Sequence, residues 1–306
     1  MKIIPAEAVA HASPYRDIVE ALRQAFRENY ATPVRHHHEV SAVSTLLLMP
    51  AWSERHTGLK TVVVKTDNPA RGLPTVQASY LLIDNETGDT VAVMDGTELT
   101  RRRTAAASAL AADYLARKDS HIMAVIGAGT LAPHFVRAHA AIRPIGELRI
   151  FSRTPEKSEA LADELIRDEL DIHVMADAEQ AVRGADIVSC VTTSTSPIVQ
   201  GAWLKPGTHV DLAGAFKPSM RETDGETVAR ARVYVDTREG ALAEAGDLLQ
   251  ARDEGKFRLE DVQGELSDLC RGRIGGRRSA EEITLFKSCG TAIEDLATAI
   301  MIYRRS

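Results

Sequence analysis

The chain has 306 residues, 44% of them hydrophobic and 26% charged, the make-up of two ordinary globular domains or one large one. Its 37 basic and 43 acidic residues give a formal charge of −6, with no electrostatic reason to expect a nucleic acid or a membrane as partner. The three cysteines (Cys190, Cys270, Cys289) stand at no metal-ligand spacing, and the opening residues lack a secretory apolar run, so a cytoplasmic protein with small-molecule partners is expected.

The first helix signal is Ser13-Pro14, an N-cap followed by a proline at the first helical position. Ile18, Leu22, Ala25 and Phe26 then share one face at spacings of three and four. Strand character follows at 44–49, 60–65 and 78–83. A turn at 85–89 returns the chain through a strand at 90–94, which predicts a hairpin. From Thr100 an alanine-rich helix runs to about residue 118. Beyond it, short apolar strands at 121–126, 148–151, 172–175, 187–191, 209–212 and 233–235 alternate with helical or turn segments. That order predicts an α/β fold with a doubly wound, Rossmann-type parallel sheet. Residues 281–303 read as a helix with no strand partner nearby.

The strand at 121–126 runs straight into Gly127-Ala128-Gly129-Thr130-Leu131-Ala132, a G-x-G-x-x-A pattern between strand and helix. Gly127 permits the tight turn, and Gly129 lets a pyrophosphate approach the backbone. Ala132 is small enough for close helix–strand packing, and the helix start offers unpaired N–H groups to phosphate. At the end of the second strand stand Ser152, Arg153 and Thr154, with Lys157 a turn further on and no acid at the position that would hold a ribose 2′-hydroxyl. Hydroxyl and cationic groups suit a 2′-phosphate, so NADP(H) is expected rather than NAD(H). The loop Thr192-Thr193-Ser194 follows the fourth buried strand and reads either as a plain loop or as a wall of the cofactor groove.

Motifs spread along the whole chain resemble the ornithine cyclodeaminase/μ-crystallin family. They are Leu47-Leu48-Met49-Pro50, Gly58-Leu59-Lys60, Asn68, Gly72-Leu73-Pro74, Asp95-Gly96, Thr100 and Arg103-Thr104-Ala105. The Gly127 loop, Met220-Arg221-Glu222, Phe286-Lys287-Ser288 and Gly290 to Leu296 complete the pattern. The resemblance implies a homodimer with a discontinuous α+β substrate-binding and dimerisation domain, 1–117 completed by a C-terminal helix 291–306. A nucleotide-binding domain, 118–290, lies between them in sequence. It further implies that Arg35, Lys60 and Arg103 bind substrate, with Lys60 catalytic. By residue type alone, Arg35 and Arg103 read as solvated or ion-paired cations; the resemblance reverses that for Arg103 and places it with Lys60 in the site. A guanidinium can clasp a carboxylate through two parallel hydrogen bonds, and a lysine beside a reacting nitrogen can move a proton.

The family includes ornithine cyclodeaminases, alanine dehydrogenases, cyclic ketimine reductases and the ligand-binding μ-crystallins. Where cyclodeaminases carry a basic aspartate this chain has Phe216, and where they carry a glutamate before Met-Pro it has Leu47. The Phe-Lys-Pro-Ser-Met-Arg-Glu segment, with Leu46 to Trp52 and His36-His37-His38, resembles instead the Δ1-pyrroline-2-carboxylate and Δ1-piperideine-2-carboxylate reductases. The resemblance therefore implies an NADPH-dependent enzyme that reduces a small cyclic imino acid, giving L-proline or L-pipecolate. An amino-acid dehydrogenase, a cyclodeaminase and a μ-crystallin-like binding protein remain as alternatives. No metal is expected, since three adjacent histidines do not usually ligate one ion together; one of them can instead line the substrate pocket or relay a proton.

Overall fold

The computed structural model describes residues 1–306, the side chain of Pro69 excepted. The chain divides into two compact units, 1–104 with 291–306, and 105–290. The division falls between Thr104 and Ala105, inside one helix.

The first unit contains β1 (Lys2–Ile4), α1 (Ala6–Ala12), α2 (Tyr15–Arg27), β2 (His36–Ser41) and β3 (Ser44–Trp52). β4 (His56–Lys65), β5 (Val76–Asp84), β6 (Thr90–Asp95) and the start of α3 (Gly96–Leu115) follow. Its six strands lie in the order β1-β6-β5-β4-β3-β2, antiparallel except for the β1–β6 pair. Alternation assigns the side chains to faces: Gly58, Lys60 and Val62 of β4 are buried, whereas Thr57, Leu59 and Thr61 between them are only half-buried. Met49, Lys60, Tyr80 and Met94 stand opposite one another on successive strands and form a buried row.

Helix α2 buries Ile18, Val19, Leu22 and Phe26; Val19 takes the place expected for Ala25, which is half-buried. Ser13 does not cap α2. Its hydroxyl donates to the Val9 carbonyl at 2.5 Å and closes α1, a short helix that sequence periodicity does not reveal. Helix α3 starts four residues before the expected Thr100, because Asp95 accepts the Glu98 N–H at 2.7 Å and supplies the cap.

The second unit begins after α3 with β7 (Ile122–Ile126), α4 (Ala132–Ile142), β8 (Glu147–Phe151), α5 (Pro155–Leu165) and β9 (Asp171–Val174). Next come α6 (Ala178–Val182), β10 (Ile187–Cys190), β11 (His209–Leu212), α7 (Gly225–Arg230) and β12 (Ala231–Val235). α8 (Arg238–Glu244), α9 (Gly246–Asp253), β13 (Gly264–Glu265), α10 (Leu266–Cys270) and β14 (Ile283–Lys287) complete it. All eight strands are parallel, in the order β13-β12-β14-β11-β10-β7-β8-β9. This is the doubly wound sheet that the alternating pattern predicted.

A further expectation fails. Residues 283–287 are not helical but form β14, buried throughout and inserted between β11 and β12. Ile-Thr-Leu-Phe-Lys is a short apolar run that fits a buried strand or a buried helix turn equally well. Its true partners lie far away in sequence. Gly290, at φ +82°, ends the segment in a conformation that favours glycine, and α11 (Ala292–Arg305) follows in the first unit, packed on α2 and on β3 to β5. Among the described residues no helix is long and apolar enough to cross a membrane.

Candidate active site

In the second unit the chain runs from β7 outward to β8 and β9, then returns to place β10 on the other side of β7. The strand order therefore reverses between β7 and β10, the position at which open α/β sheets bind ligands. Gly127 leaves β7 there at φ +107°, its N–H donating to the Phe151 carbonyl at 2.8 Å. A Cβ on Gly127 would lie 3.0 Å from both the Thr192 methyl and the Val191 carbonyl oxygen, so the first glycine loop and the 192–194 loop are in close contact. Around Gly129 the situation is the reverse. A Cβ there would meet nothing within 4 Å.

The backbone N–H groups of Ala128, Gly129, Thr130 and Leu131 have no backbone partner among the described residues, and α4 begins at the buried Ala132. An open glycine before a helix N-terminus, with unpaired N–H groups and the positive end of the helix dipole, fits a dinucleotide pyrophosphate.

The expected 2′-phosphate residues divide into two kinds. The Ser152 hydroxyl is committed, donating to the Thr154 carbonyl at 2.7 Å and lying 2.9 Å from the Ser158 hydroxyl. Arg153, Thr154 and Lys157 are exposed, and the two cations have no side-chain partner among the described residues. Thr154 precedes α5, whose first turn also carries the exposed Glu156.

The 192–194 loop is held from below by Glu222, which sequence reasoning did not single out for a role. Its buried carboxylate accepts the Thr192 N–H and the Gly214 N–H, both at 2.7 Å, and so ties the loops after β10 and β11 together. Burial and the neighbouring Asp247 raise its pKa to about 7, against the opposing pull of Lys287 and these two N–H groups. The Ser194 hydroxyl donates to the Ser196 carbonyl, whereas Thr193 is exposed. Phe216, just past Gly214, is 41% exposed.

Lys60 and Arg103 come together in the first unit, and the groups that join them are two acids of α11. Lys60 Nζ lies 2.9 and 2.8 Å from the two carboxylate oxygens of Asp295. Arg103 donates from Nε to Asp295 Oδ1 at 2.8 Å and from Nη1 to Glu294 at 2.5 Å. All four side chains are at most 6% exposed. Burial lowers the Lys60 pKa to about 8, helped by Arg103 and Arg35 and opposed by Asp295. Burial also works against the Arg103 charge, but Asp295 and Glu294 outweigh it and raise its pKa. Arg35, half-buried in the segment before β2, is close enough to act on Lys60 electrostatically.

The two cations of this cluster are thus balanced by two anions. Tyr80, beside Lys60 in the buried row, has a hydroxyl with no hydrogen-bond partner among the described residues, set against Gly58. His36, His37 and His38 lie apart from the cluster's buried row, exposed on the edge strand β2 with the His36 and His38 rings stacked. Among the described residues no three His, Cys, Asp or Glu side chains gather as a metal site.

Sequence reasoning had a signal for the two acids and did not use it. Glu294 and Asp295 are adjacent charges in a helix turn otherwise made of Ala, Ile and Leu, and acids so placed need buried cations as partners.

A sequence model of the ornithine cyclodeaminase/mu-crystallin family matches residues 3–306. The chain belongs to this family. One relative, the Δ1-pyrroline-2-carboxylate reductase of Paracoccus denitrificans, is 41% identical over 95% of this chain and 92% of its own. Among solved structures, the Thermococcus litoralis Δ1-pyrroline-2-carboxylate reductase in complex with NADH and L-proline superposes with a TM-score of 0.95. It is 35% identical and covers 100% of this chain and 97% of its own. An archaeal alanine dehydrogenase, a dimer with bound NAD, gives a TM-score of 0.93 at 34% identity, covering 100% of this chain and 95% of its own. The ornithine cyclodeaminase/mu-crystallin family thus contains, at similar distance from this chain, members named for different reactions.

Proposed function

We propose that the protein is a cyclic ketimine reductase that uses NADPH to convert Δ1-pyrroline-2-carboxylate to L-proline and Δ1-piperideine-2-carboxylate to L-pipecolate. The observation that carries this reading is the buried Lys60–Arg103 pair. A lysine whose pKa is about 8 can hold a proton at neutral pH and yield it to an imine nitrogen, and a guanidinium beside it can grip a carboxylate. Asp295 and Glu294 engage Nε and Nη1 of Arg103, so the Nη2 side is the part left for the substrate. Protonation of the ring nitrogen makes the adjacent carbon electrophilic, and the reduced nicotinamide supplies the hydride when bound.

In this reading the first unit binds substrate and the second binds the nucleotide through Gly127, Ala128, Gly129, Thr130 and Leu131. Arg153, Thr154 and Lys157 take the 2′-phosphate, Ser152 shapes their turn, and the 192–194 loop lines the cofactor groove. Phe216 cannot accept a proton, which argues against a cyclodeaminase. The relatives named as pyrroline-2-carboxylate reductases support the same substrate class.

The working form is proposed to be a homodimer. The sheet face opposite Lys60 carries Leu48, Trp52, Leu59, Val63, Leu81 and Ile83, all half-buried or exposed, with Thr57, Thr61 and Ser79 among them, and a largely apolar face of this kind suits a second copy. The alanine dehydrogenase structure, a dimer, supports this assembly.

The deciding experiment follows NADPH and NADH oxidation with the five- and six-membered cyclic imino acids, with pyruvate plus ammonia, and with ornithine as control. Oxidation of NADPH by the cyclic substrates is expected. Absence of turnover with both rings, or ammonia release from ornithine, overturns the assignment.

A further inference from the structure

We propose that Asp295 is a positioning residue that fixes Lys60 and Arg103 in one arrangement and keeps Lys60 in its charged, proton-donating form. The inference rests on the reductase reading above. Asp295 Oδ1 is shared: it accepts from Lys60 Nζ at 2.9 Å and from Arg103 Nε at 2.8 Å. Oδ2 lies 2.8 Å from the same Nζ, an ion-pair contact rather than a second hydrogen bond. The two cations come from different elements, β4 and α3, and one carboxylate sets their spacing. Asp295 can do this rigidly because it sits in the first turn of α11, is wholly buried, and is favoured there by the helix dipole.

The charges around Lys60 show why this carboxylate matters for the proton. Arg103 faces it from α3, Arg35 from the segment before β2, Tyr80 from β5, and Asp295 from α11, where Glu294 is occupied by Arg103. Burial and both arginines push Lys60 towards the neutral amine; Asp295 opposes them through its charge and its hydrogen bond. Glu294 accepts from Arg103, whereas Asp295 accepts from both cations.

Asp295→Asn keeps the size and one acceptor oxygen while removing the charge. The alkaline limb of the kcat/KM profile with a cyclic imino acid, set near pH 8 by Lys60 in the native protein, is expected to move down by about one to two pH units. NADPH affinity is expected to stay unchanged. A uniform loss of rate with the limb in place would overturn the proposal and leave Asp295 a packing residue. Asp295→Glu serves if the asparagine variant fails to fold: it keeps the charge, so the limb should remain near its native position while KM rises. Glu294→Gln is expected to raise KM with a smaller displacement of the limb. A 15N NMR titration of the Lys60 ammonium in native and Asp295→Asn protein gives the same answer without turnover. If the native protein reduces no imine, the functional reading fails, and the titration still decides whether Asp295 holds the proton on Lys60.

Discussion

Replacing Gly129 by alanine separates the fold of the nucleotide cradle from its use. Gly129 lacks the positive φ of Gly127, and an added Cβ would meet no atom within 4 Å. The free protein should therefore tolerate the methyl group, and the loss of glycine's freedom in the unfolded chain should add about 0.4–1 kcal/mol of stability. In a protein of this size that raises Tm by roughly 1–3 °C. A bound pyrophosphate needs the same empty space, because its oxygens must reach the unpaired N–H groups of 128–131. Loss of one or two charge-assisted hydrogen bonds, at about 1.5–3 kcal/mol each, weakens binding on the order of 100-fold.

The assay is thermal unfolding with and without NADPH, paired with a direct titration of nucleotide. The expected result is an unchanged or higher Tm in the free variant and loss of the stabilisation that NADPH gives. Gly127→Ala should do the opposite to the fold. There φ is +107° and two neighbours stand at 3.0 Å, so the free protein itself should lose about 1–3 kcal/mol. A Gly129→Ala protein that binds NADPH as tightly as the parent would refute the placement of the phosphates.

Other perturbations test separate parts of the reasoning. Arg153→Asp should raise KM for NADPH on the order of tenfold and favour NADH, because a carboxylate repels a 2′-phosphate and suits a free hydroxyl; equal effects on both nucleotides would remove Arg153 from the site. Lys60 has a folded pKa of about 8 against 10.5 for an unperturbed lysine, so between those values the unfolded chain holds a proton that the folded one has lost. Stability attributable to Lys60 should therefore rise with pH across that window by about 3 kcal/mol. Urea unfolding of native and Lys60→Met protein at pH 7.5 and 10 should show that difference in slope, and parallel behaviour would contradict it. Gly58→Ala would place a Cβ 1.8 Å from the Tyr80 hydroxyl oxygen and should cost about 2–3 kcal/mol, with partial recovery when Tyr80 is shortened to leucine. Unaltered unfolding of Gly58→Ala would mean that Tyr80 is not fixed in the buried row.

The parts of the fold legible in sequence are those whose signals are local. A strand running into Gly127-Ala128-Gly129 and a helix with a small residue at Ala132 depend on neighbours within a dozen residues, and the alternation from 121 to 235 repeats one β-α unit. β14 was missed because Ile283–Lys287 earns its place only through pairing with β11 and β12. The edge strand β2 was missed for a related reason: His36–Ser41 is exposed on both faces, so its polar residues carry no alternating burial pattern. Lys60 and Arg103 were found through family resemblance, while Asp295 and Glu294 were not given roles because their cations lie more than 190 positions away. Glu222 stood inside the Met220-Arg221-Glu222 motif but received no role; a buried acid that accepts two backbone N–H groups leaves no spacing rule behind it.

Helix α11 has a consequence for how the molecule is made. During synthesis β4 and α3 leave the ribosome with Lys60 and Arg103 in place, and the complete second unit must follow before their counter-charges emerge. The six-stranded sheet can pair its backbone early, but dry burial of those two cations has to wait. The nascent first unit is therefore left with a hydrated interior until the last helix docks, and its cooperative locking is a late event in biogenesis.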